Sequence, residues 1–379
     1  MTNARRTSAA LVAVVLLIVG AAVSASSTSP TWTITPHRKA APREVLLGIS
    51  CPKVDSCFAV GSRAGSSQFG TSASLVRHWS GDHWSVVPSP NPPGAEYVNP
   101  SAIDCPTPTS CFAVGSYTTG ATWNKTFAMH WDGKQWRILR SLNPPGQSRE
   151  LGFSDISCPR DNNCFAVGGA DRSALIEHWN GAHWARMDAA HPHSGTTVLS
   201  GVSCPAPRSC WAVGFHQTSV TTAVIEHWNG TTWKRQPAAV PAGSTFPSLG
   251  AISCPSVQSC FVLGSATDHA QNRRPFVDRW DGSWKVMRTA DRRTNLSLDG
   301  ISCPTPTRCF AVGANDGAKV LIQRWDSGTA WRAMPAPNPP GAGLLFDISC
   351  ADTTHCFAVG GAYTDFNGGP VRSLMERYA

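Results

Sequence analysis

An all-β fold that closes on itself is what this sequence predicts, and three observations predict it. A phrase of the form Ile-Ser-Cys-Pro, a short gap, then Cys-Phe-Ala-Val-Gly recurs with small variations along all 379 residues. Its first cysteines are Cys51, Cys105, Cys158, Cys204, Cys254, Cys303 and Cys350, a period near 50 residues. That is the period of a propeller blade and is too long for leucine-rich or ankyrin units. Finally, the seventh unit stops at Leu374-Met375-Glu376-Arg377-Tyr378-Ala379, one strand short, and Thr31-Trp32-Thr33-Ile34-Thr35-Pro36 supplies the missing piece at the other terminus. The expectation is a seven-bladed β-propeller with four antiparallel strands, a to d, in each blade. An N-terminal strand d pairs with C-terminal strands a to c, which removes two open sheet edges.

Residues 1–25 read as a signal peptide. Arg5 and Arg6 form its basic region, Leu11 through Val23 its apolar stretch, and Val23-Ser24-Ala25 places small residues at a cleavage site after Ala25. The alternative is an uncleaved anchor, for which the apolar run is short. Residues 26–379 are assigned to the propeller. The first unit shows how its strands are written. Gly48-Ile49-Ser50-Cys51 begins it, and Cys57-Phe58-Ala59-Val60-Gly61 follows a Pro-led turn. Ser74 through Trp79 is a third, alternating strand, and a Gly-containing turn leads to Trp84-Ser85-Val86-Val87, which Pro88 ends. Val, Ile, Phe and Trp between Gly, Pro and Asn punctuation is all-β chemistry. One such sheet cannot bury both faces, so the units must stack.

The cysteines fall into hairpin-flanking pairs: Cys51/Cys57, Cys105/Cys111, Cys158/Cys164, Cys204/Cys210, Cys254/Cys260, Cys303/Cys309 and Cys350/Cys356. Facing residues of antiparallel strands lie at disulfide distance. An even count in an exported chain reads as disulfides, whereas zinc would ask for shorter spacing and four ligands. This assigns no cysteine to catalysis or metal, and no cofactor is expected.

The unit resembles the kelch repeat. Val167-Gly168-Gly169, Trp179 and Trp184 look like kelch's double glycine, strand-c aromatic and strand-d Trp, and Val359-Gly360-Gly361 repeats the glycines. It is more similar to Cys-containing Trp-Gly-x-x-Trp propellers of exported bacterial proteins, a resemblance that implies the fold and no particular activity. The turn also looks like the Asp-box of sialidases, but here Asp132, Asp281 and Asp326 directly follow the strand-c Trp, and other units carry Asn or Ser.

Net charge is +8, with basic residues scattered rather than gathered into an arm, which argues against nucleic acid as partner. His78, His130, His178 and His227 precede strand-c tryptophans, and Arg279, Arg324 and Arg377 take that place elsewhere. Residues a whole blade apart cannot share one ion, so a packing role is expected. Strand order puts the a–b and c–d turns on one face and the variable b–c and d–a loops on the other, where recognition residues are expected. Phe69, Tyr97, Tyr117, Trp123, Phe153, Phe215 and Tyr363 are its apolar candidates, and Arg38, Lys39, Arg273, Arg274, Arg292 and Arg293 its basic ones. Asp299 and Asp347 are candidates for a cation or ligand amine at the channel mouth. The reading is a secreted or surface-tethered, monomeric, non-enzymatic binding or scaffold propeller for a protein or cell-surface glycan. Its membrane association depends on retention of the N-terminal segment. The alternative is a sialidase- or lyase-like enzyme, which would need polar residues on the inner strands of particular blades, positions held here mostly by Gly, Ala, Ser and Ile.

Overall fold

The computed structural model describes residues 29–35, 43–65, 70–120, 124–143, 151–190, 194–287, 289–290, 296–364 and 371–379. The proposed signal segment, Trp123, Phe69, Arg38, Lys39, Arg292 and Arg293 lie outside these residues. Thr31–Ala379 is one compact all-β unit.

The first repeat holds β2 (Glu44–Lys53), β3 (Ser56–Ala64), β4 (Ser72–Trp79) and β5 (Trp84–Val87), and the N-terminal strand before it is β1 (Trp32–Ile34). The second holds β6 (Tyr97–Thr107), β7 (Ser110–Thr118), β8 (Lys125–Trp131) and β9 (Trp136–Ile138). The third holds β10 (Leu151–Arg160), β11 (Asn163–Ala170), β12 (Ser173–Trp179) and β13 (Trp184–Arg186). In the fourth are β14 (Thr196–Ala206), β15 (Ser209–Gln217), β16 (Thr221–Trp228) and β17 (Trp233–Gln236). In the fifth are β18 (Thr245–Ser256), β19 (Ser259–Thr267), β20 (Arg273–Trp280) and β21 (Trp284–Met287). The sixth has β22 (Ser297–Thr305), β23 (Arg308–Ala314), β24 (Val320–Trp325) and β25 (Arg332–Ala333). The seventh has only β26 (Ala342–Cys350), β27 (Cys356–Tyr363) and β28 (Val371–Tyr378). These form five sheets of four strands and one of eight, in which a single parallel bridge, Ser72 to Tyr97, joins the first two repeats. Antiparallel four-stranded sheets repeated in this way make a β-propeller. The seventh repeat takes β1 as its outer strand, with Trp32 opposite Tyr378 and Ile34 opposite Glu376.

The repeated phrase builds the inner strand. A bulge interrupts each a–b pairing at the residue four before the first cysteine, for example between Leu46 and Gly48 or Leu298 and Gly300. The glycine ending Cys-Phe-Ala-Val-Gly exists because of it. A Cβ on Gly61 would lie 2.0 Å from the Val45 carbonyl oxygen, and one on Gly360 would lie 1.9 Å from that of Leu344. The serine of Ile-Ser-Cys joins neighbouring repeats. Ser50 Oγ accepts the Cys105 N–H at 3.0 Å, and Ser157, Ser203, Ser253 and Ser302 accept the next repeat's cysteine N–H at 3.0–3.1 Å. Asp104 replaces serine in the second repeat and takes the Cys158 N–H at 2.6 Å. Ser349 takes the Cys51 N–H at 2.9 Å, so the series returns to its start.

Aromatic packing follows the same order. The strand-b aromatic of each repeat meets the strand-c or strand-d aromatic of the next: Phe58 with Trp131, Phe112 with Trp179, Phe165 with Trp228, Trp211 with Trp280 and Phe261 with Trp325, at centroid distances of 4.8–5.9 Å. Phe310 meets Tyr378 at 5.2 Å and Phe357 meets Trp79 at 5.0 Å. Burying each such ring contributes on the order of 2 kcal/mol before specific ring geometry is counted. Three of the c–d turns are fastened by the residue after the strand-c Trp. Asp132 accepts two backbone N–H groups, and Asn180 and Asn229 do the same. That explains the Asp-box likeness as turn chemistry.

All seven expected disulfides form: Cys51–Cys57, Cys105–Cys111, Cys158–Cys164, Cys204–Cys210, Cys254–Cys260, Cys303–Cys309 and Cys350–Cys356, with Cα separations of 4.0–4.1 Å. There is no free cysteine among the described residues. The strand-b partner of each pair is a core residue, which the spacing alone does not reveal. Cys111, Cys164, Cys210, Cys260 and Cys309 are completely buried, and Cys57 and Cys356 are nearly so. Cys164, for example, packs with Trp184, and Cys309 with Trp331. These strand-b sulfurs therefore staple each a–b hairpin from within the packed interior. The bridges point to an oxidising, extracellular environment.

Candidate functional site

Two regions collect the polar and aromatic residues that could meet a ligand. The first is the central channel, a space of about 240 Å³ walled by the inner strands of every repeat. The bulges aim Leu47, Ser101, Ser154, Ser200, Asp299 and Phe346 into it, with Gly250 at the equivalent place in the fifth repeat. Symmetry is therefore broken on this ring: serines occupy one arc, and Leu47 and Phe346 lie beyond Asp299 on the other. Asp299 is exposed to the channel, accepts a hydrogen bond from Ser297 Oγ at 2.7 Å, and has its pKa raised by the surrounding wall.

Asp347 lines the same space, so the structure brings the two predicted aspartates to one cavity, but they do different work. One Asp347 oxygen accepts the N–H of Ile348 and the other that of Ile49 in the first repeat, both at 2.8 Å. Asp155 bonds identically to Ile156 and to Val202 of the next repeat. These residues are inter-repeat clamps whose oxygens are already engaged. Burial raises Asp155 and Asp347 to about 7 and Asp104 to about 6, against the downward pull of the backbone amides. Burial thus works against the build-up of negative charge on the channel's carboxyls. No cluster of three or more His, Cys, Asp or Glu side chains that could hold a metal occurs among the described residues.

The second region is at the loop end. A hollow of about 470 Å³ in the second repeat is walled by Pro92, Pro93, Tyr117, Phe127, Ile138 and Leu142, among others. The Lys125 ammonium lies 5.9 Å from the Tyr117 ring centre, within cation–π range. Another hollow of about 310 Å³ occupies the corresponding place in the fifth repeat, walled by Pro241, Arg274, Pro275, Phe276 and Met287. The two are built alike. In both, a proline-led turn enters the repeat, Ala95 N–H to Pro92 carbonyl at 3.0 Å and Ser244 N–H to Pro241 carbonyl at 3.1 Å. Gly94 and Gly243 take φ values of 72° and 73° within those turns. The first strand then carries an exposed aromatic at its start, Tyr97 as first residue of β6 or Phe246 as second of β18. Sequence reasoning misses Phe246, although it stands eight residues before its cysteine, as Tyr97 does. None of the cystine residues walls the channel or either hollow.

The other candidates are spread out. Arg274 pairs with Asp268, and Arg273 donates to Ser248 Oγ at 2.6 Å. Phe153, expected as a surface anchor, is a core residue, 3 % exposed and 6.2 Å from Trp184. The bulge at Ser154 reverses the strand's alternation, which turns Phe153 inward. The strand-c histidines stack on the strand-b aromatics, His78 on Phe58 at 4.3 Å and His227 on Trp211 at 4.2 Å. Their Nε2 atoms meet Ser56 and Ser209, both at 3.2 Å, and burial lowers their pKa values. Arg279 and Arg377 replace that stack with cation–π contacts at 5.1–5.9 Å.

Comparison with known proteins shows the fold. No family model and no curated protein matches the sequence. Among solved structures, YCF48 from Cyanidioschyzon merolae is similar over 92 % of this chain and 98 % of its own, with a TM-score of 0.53 and 13 % identity. An ulvan lyase of the polysaccharide lyase family PL25 is similar over 90 % and 95 %, with a TM-score of 0.57 and 8 % identity.

Proposed function

We propose that this chain is a seven-bladed extracellular propeller that binds rather than transforms its ligand, a protein or a cell-surface glycan, at its loop end. The observation that carries the reading is the paired hollow. The same proline turn, apolar wall and exposed aromatic are built in the second and fifth repeats, while the opposite end carries one disulfide hairpin in all seven repeats and an Asp- or Asn-capped turn in three of them. A rigid frame with variable loops at one end suits recognition. The disulfide-locked, oxidising setting supports an exported location, and retention at the cell surface would follow if the N-terminal segment stays attached.

The test is an array of glycans and surface proteins probed with the purified chain, followed by substitution. Tyr117→Ala, Trp123→Ala and the Arg273→Ala/Arg274→Ala pair should each weaken the captured interaction at least tenfold with little change in melting temperature. Lys134→Ala and Gln135→Ala, in a c–d turn at the other end, should leave affinity alone; the reverse pattern would move the ligand to that end and refute the reading. A broad glycosidase and lyase substrate screen is run in parallel. Turnover that disappears in the Asp299→Asn/Asp347→Asn double variant would replace the binding reading with an enzymatic one.

A further inference from the structure

Strand c of most repeats carries a buried polar residue two places before its aromatic end: Arg77, Glu177, Glu226, Asp278, Gln323 and Glu376, with Met129 the apolar exception. Their use is consistent where it can be seen. Glu177 accepts the N–H of Leu142, Glu226 that of Ala190, and Gln323 that of Ala290, at 2.8–3.2 Å. Each donor lies six residues after the strand-d Trp of the preceding repeat, at Trp136, Trp184 and Trp284. The side chain therefore caps the chain as it leaves the neighbouring sheet, where no strand partner remains.

Two sequence positions break this scheme because proline has no N–H to give. After Trp84 the sixth residue is Pro90, and the facing side chain in the second repeat is the apolar Met129. After Trp331 the sixth residue is Pro337, yet the facing side chain remains a carboxyl, Glu376. Glu376 is fully buried, and neither oxygen has a hydrogen-bond partner among the described residues. It lies between Leu374 and Tyr378 on the face of β28 that packs on the sixth repeat, where those two residues share a core with Phe310, Val312, Ile322, Met334 and Ala336. Ala358 is its partner on β27 and Ile34 its partner on β1. Across this interface Arg324 donates to Tyr378 Oη at 3.2 Å and Arg308 to the Thr353 carbonyl at 3.3 Å, both arginines are paired with Asp326, and among the described residues no charged group offsets the burial of Glu376.

We propose that Glu376 is a proton-operated latch on the strand that closes the ring: neutral, it keeps the seam packed, and ionised, it drives β1 off β28 so that water can reach it. The energetics follow from its position. An isolated carboxylate without partners is among the least tolerable buried groups. β1 is also the element beside Glu376 that is easiest to detach, a three-residue edge strand not covalently linked to the rest of its sheet on either side. Burial accordingly raises the Glu376 pKa to about 8, against 4.5 when solvated. The folded form therefore holds its proton more tightly, and opening becomes easier as pH rises between those two values and then levels off.

The test is hydrogen exchange at the Thr31 and Thr35 amides, which donate to the Ala379 and Met375 carbonyls across the seam, corrected for intrinsic rates and compared at pH 5.5 and 7.5. The wild-type protection factor should fall by at least tenfold over that interval, with β16 and β17 amides of the fourth repeat as reference. Glu376→Gln should flatten the dependence. Pro337→Ala restores the missing N–H and should shrink the fall without altering the glutamate. Protection that is constant in the wild type, or a fall retained by Glu376→Gln, would overturn the latch. A fall unchanged by Pro337→Ala would overturn the assignment of proline as its cause.

Discussion

Trp32→Ala should detach the N-terminal strand, and the structure supplies the size of the effect. Trp32 is 6 % exposed, edge-on to Phe310 at 6.3 Å and tilted against Tyr378 at 5.3 Å. Thr33 and Ile34, the remaining strand residues, are exposed. Truncating a buried tryptophan to alanine costs about 3–5 kcal/mol. The seam's backbone bonds, Thr31 N–H to Ala379 and Thr35 N–H to Met375, contribute about 0.5–1.5 kcal/mol each. The side chain therefore outweighs the backbone, and removing it should raise the opening equilibrium of β1 by roughly 10²–10⁴-fold. Hydrogen exchange at Thr31 and Thr35 measures this directly, and size-exclusion chromatography reports whether the bared edge of β28 pairs with another chain. Ile34→Ala, at an exposed position, is the control and should shift protection by less than threefold. If Trp32→Ala keeps wild-type protection and stays monomeric, the strand is held by something other than its tryptophan, and the closure argument fails.

Asp278→Glu should stabilise the fifth repeat. Asp278 is fully buried with both oxygens unpartnered, and the residue six beyond Trp233 is Ala239, which has an N–H; one more methylene would give aspartate the reach of Glu177 and Glu226. Satisfying that acceptor is worth about 1–3 kcal/mol, visible as a higher unfolding midpoint, and a lower midpoint would mean the cavity cannot admit the methylene. The whole chain should also be more heat-resistant at pH 5.5 than at pH 8. Glu376 is raised to about 8, Asp278, Glu177, Asp155 and Asp347 to about 7, and Asp104 to about 6, all chiefly by burial. Each of these carboxyls holds its proton more tightly folded than unfolded, so stability declines as pH rises from the solvated carboxylate range through these values. The four strand-c histidines, lowered by burial, oppose this only up to the solvated imidazole range. A melting temperature that rises with pH across this interval would contradict it.

The sequence and structure agree where one residue's role is decided within its own repeat. Cysteines six apart in a hairpin, Trp at the ends of strands c and d, and a C-terminal unit lacking one strand are all local signals. Roles decided between repeats are hidden. Ser349 and Asp347 bond to Cys51 and Ile49, which are 298 residues away, and nothing in Ile-Ser-Cys distinguishes a clamp from ordinary strand alternation. The spacing that pairs Cys111, Cys164, Cys210, Cys260 and Cys309 is likewise silent on their complete burial, because the neighbouring sheet is what covers them. The bulge leaves no mark either, which is why alternation places Phe153 on the surface and Asp347 at an open channel mouth. Among the site candidates, Tyr117 and Arg274 fall into equivalent hollows because both follow from strand order. The match of Phe246 to Tyr97, each eight residues before its cysteine, becomes meaningful only once both are seen to be exposed after the same proline turn.

The cystine hairpins also bear on how such a chain matures. Fourteen thiols admit on the order of 10⁵ complete pairings. Here every correct partner is six residues away across a tight turn, while the next repeat's cysteines are several times farther along the chain. Loop closure favours the near thiol, and hairpins form in microseconds, far ahead of sulfur chemistry. Oxidation can therefore proceed one repeat at a time, with little need for reshuffling. The exception in this order is β1, which has no cysteine: it emerges before any repeat has formed and finds its place only when β28, the last strand of all, has arrived.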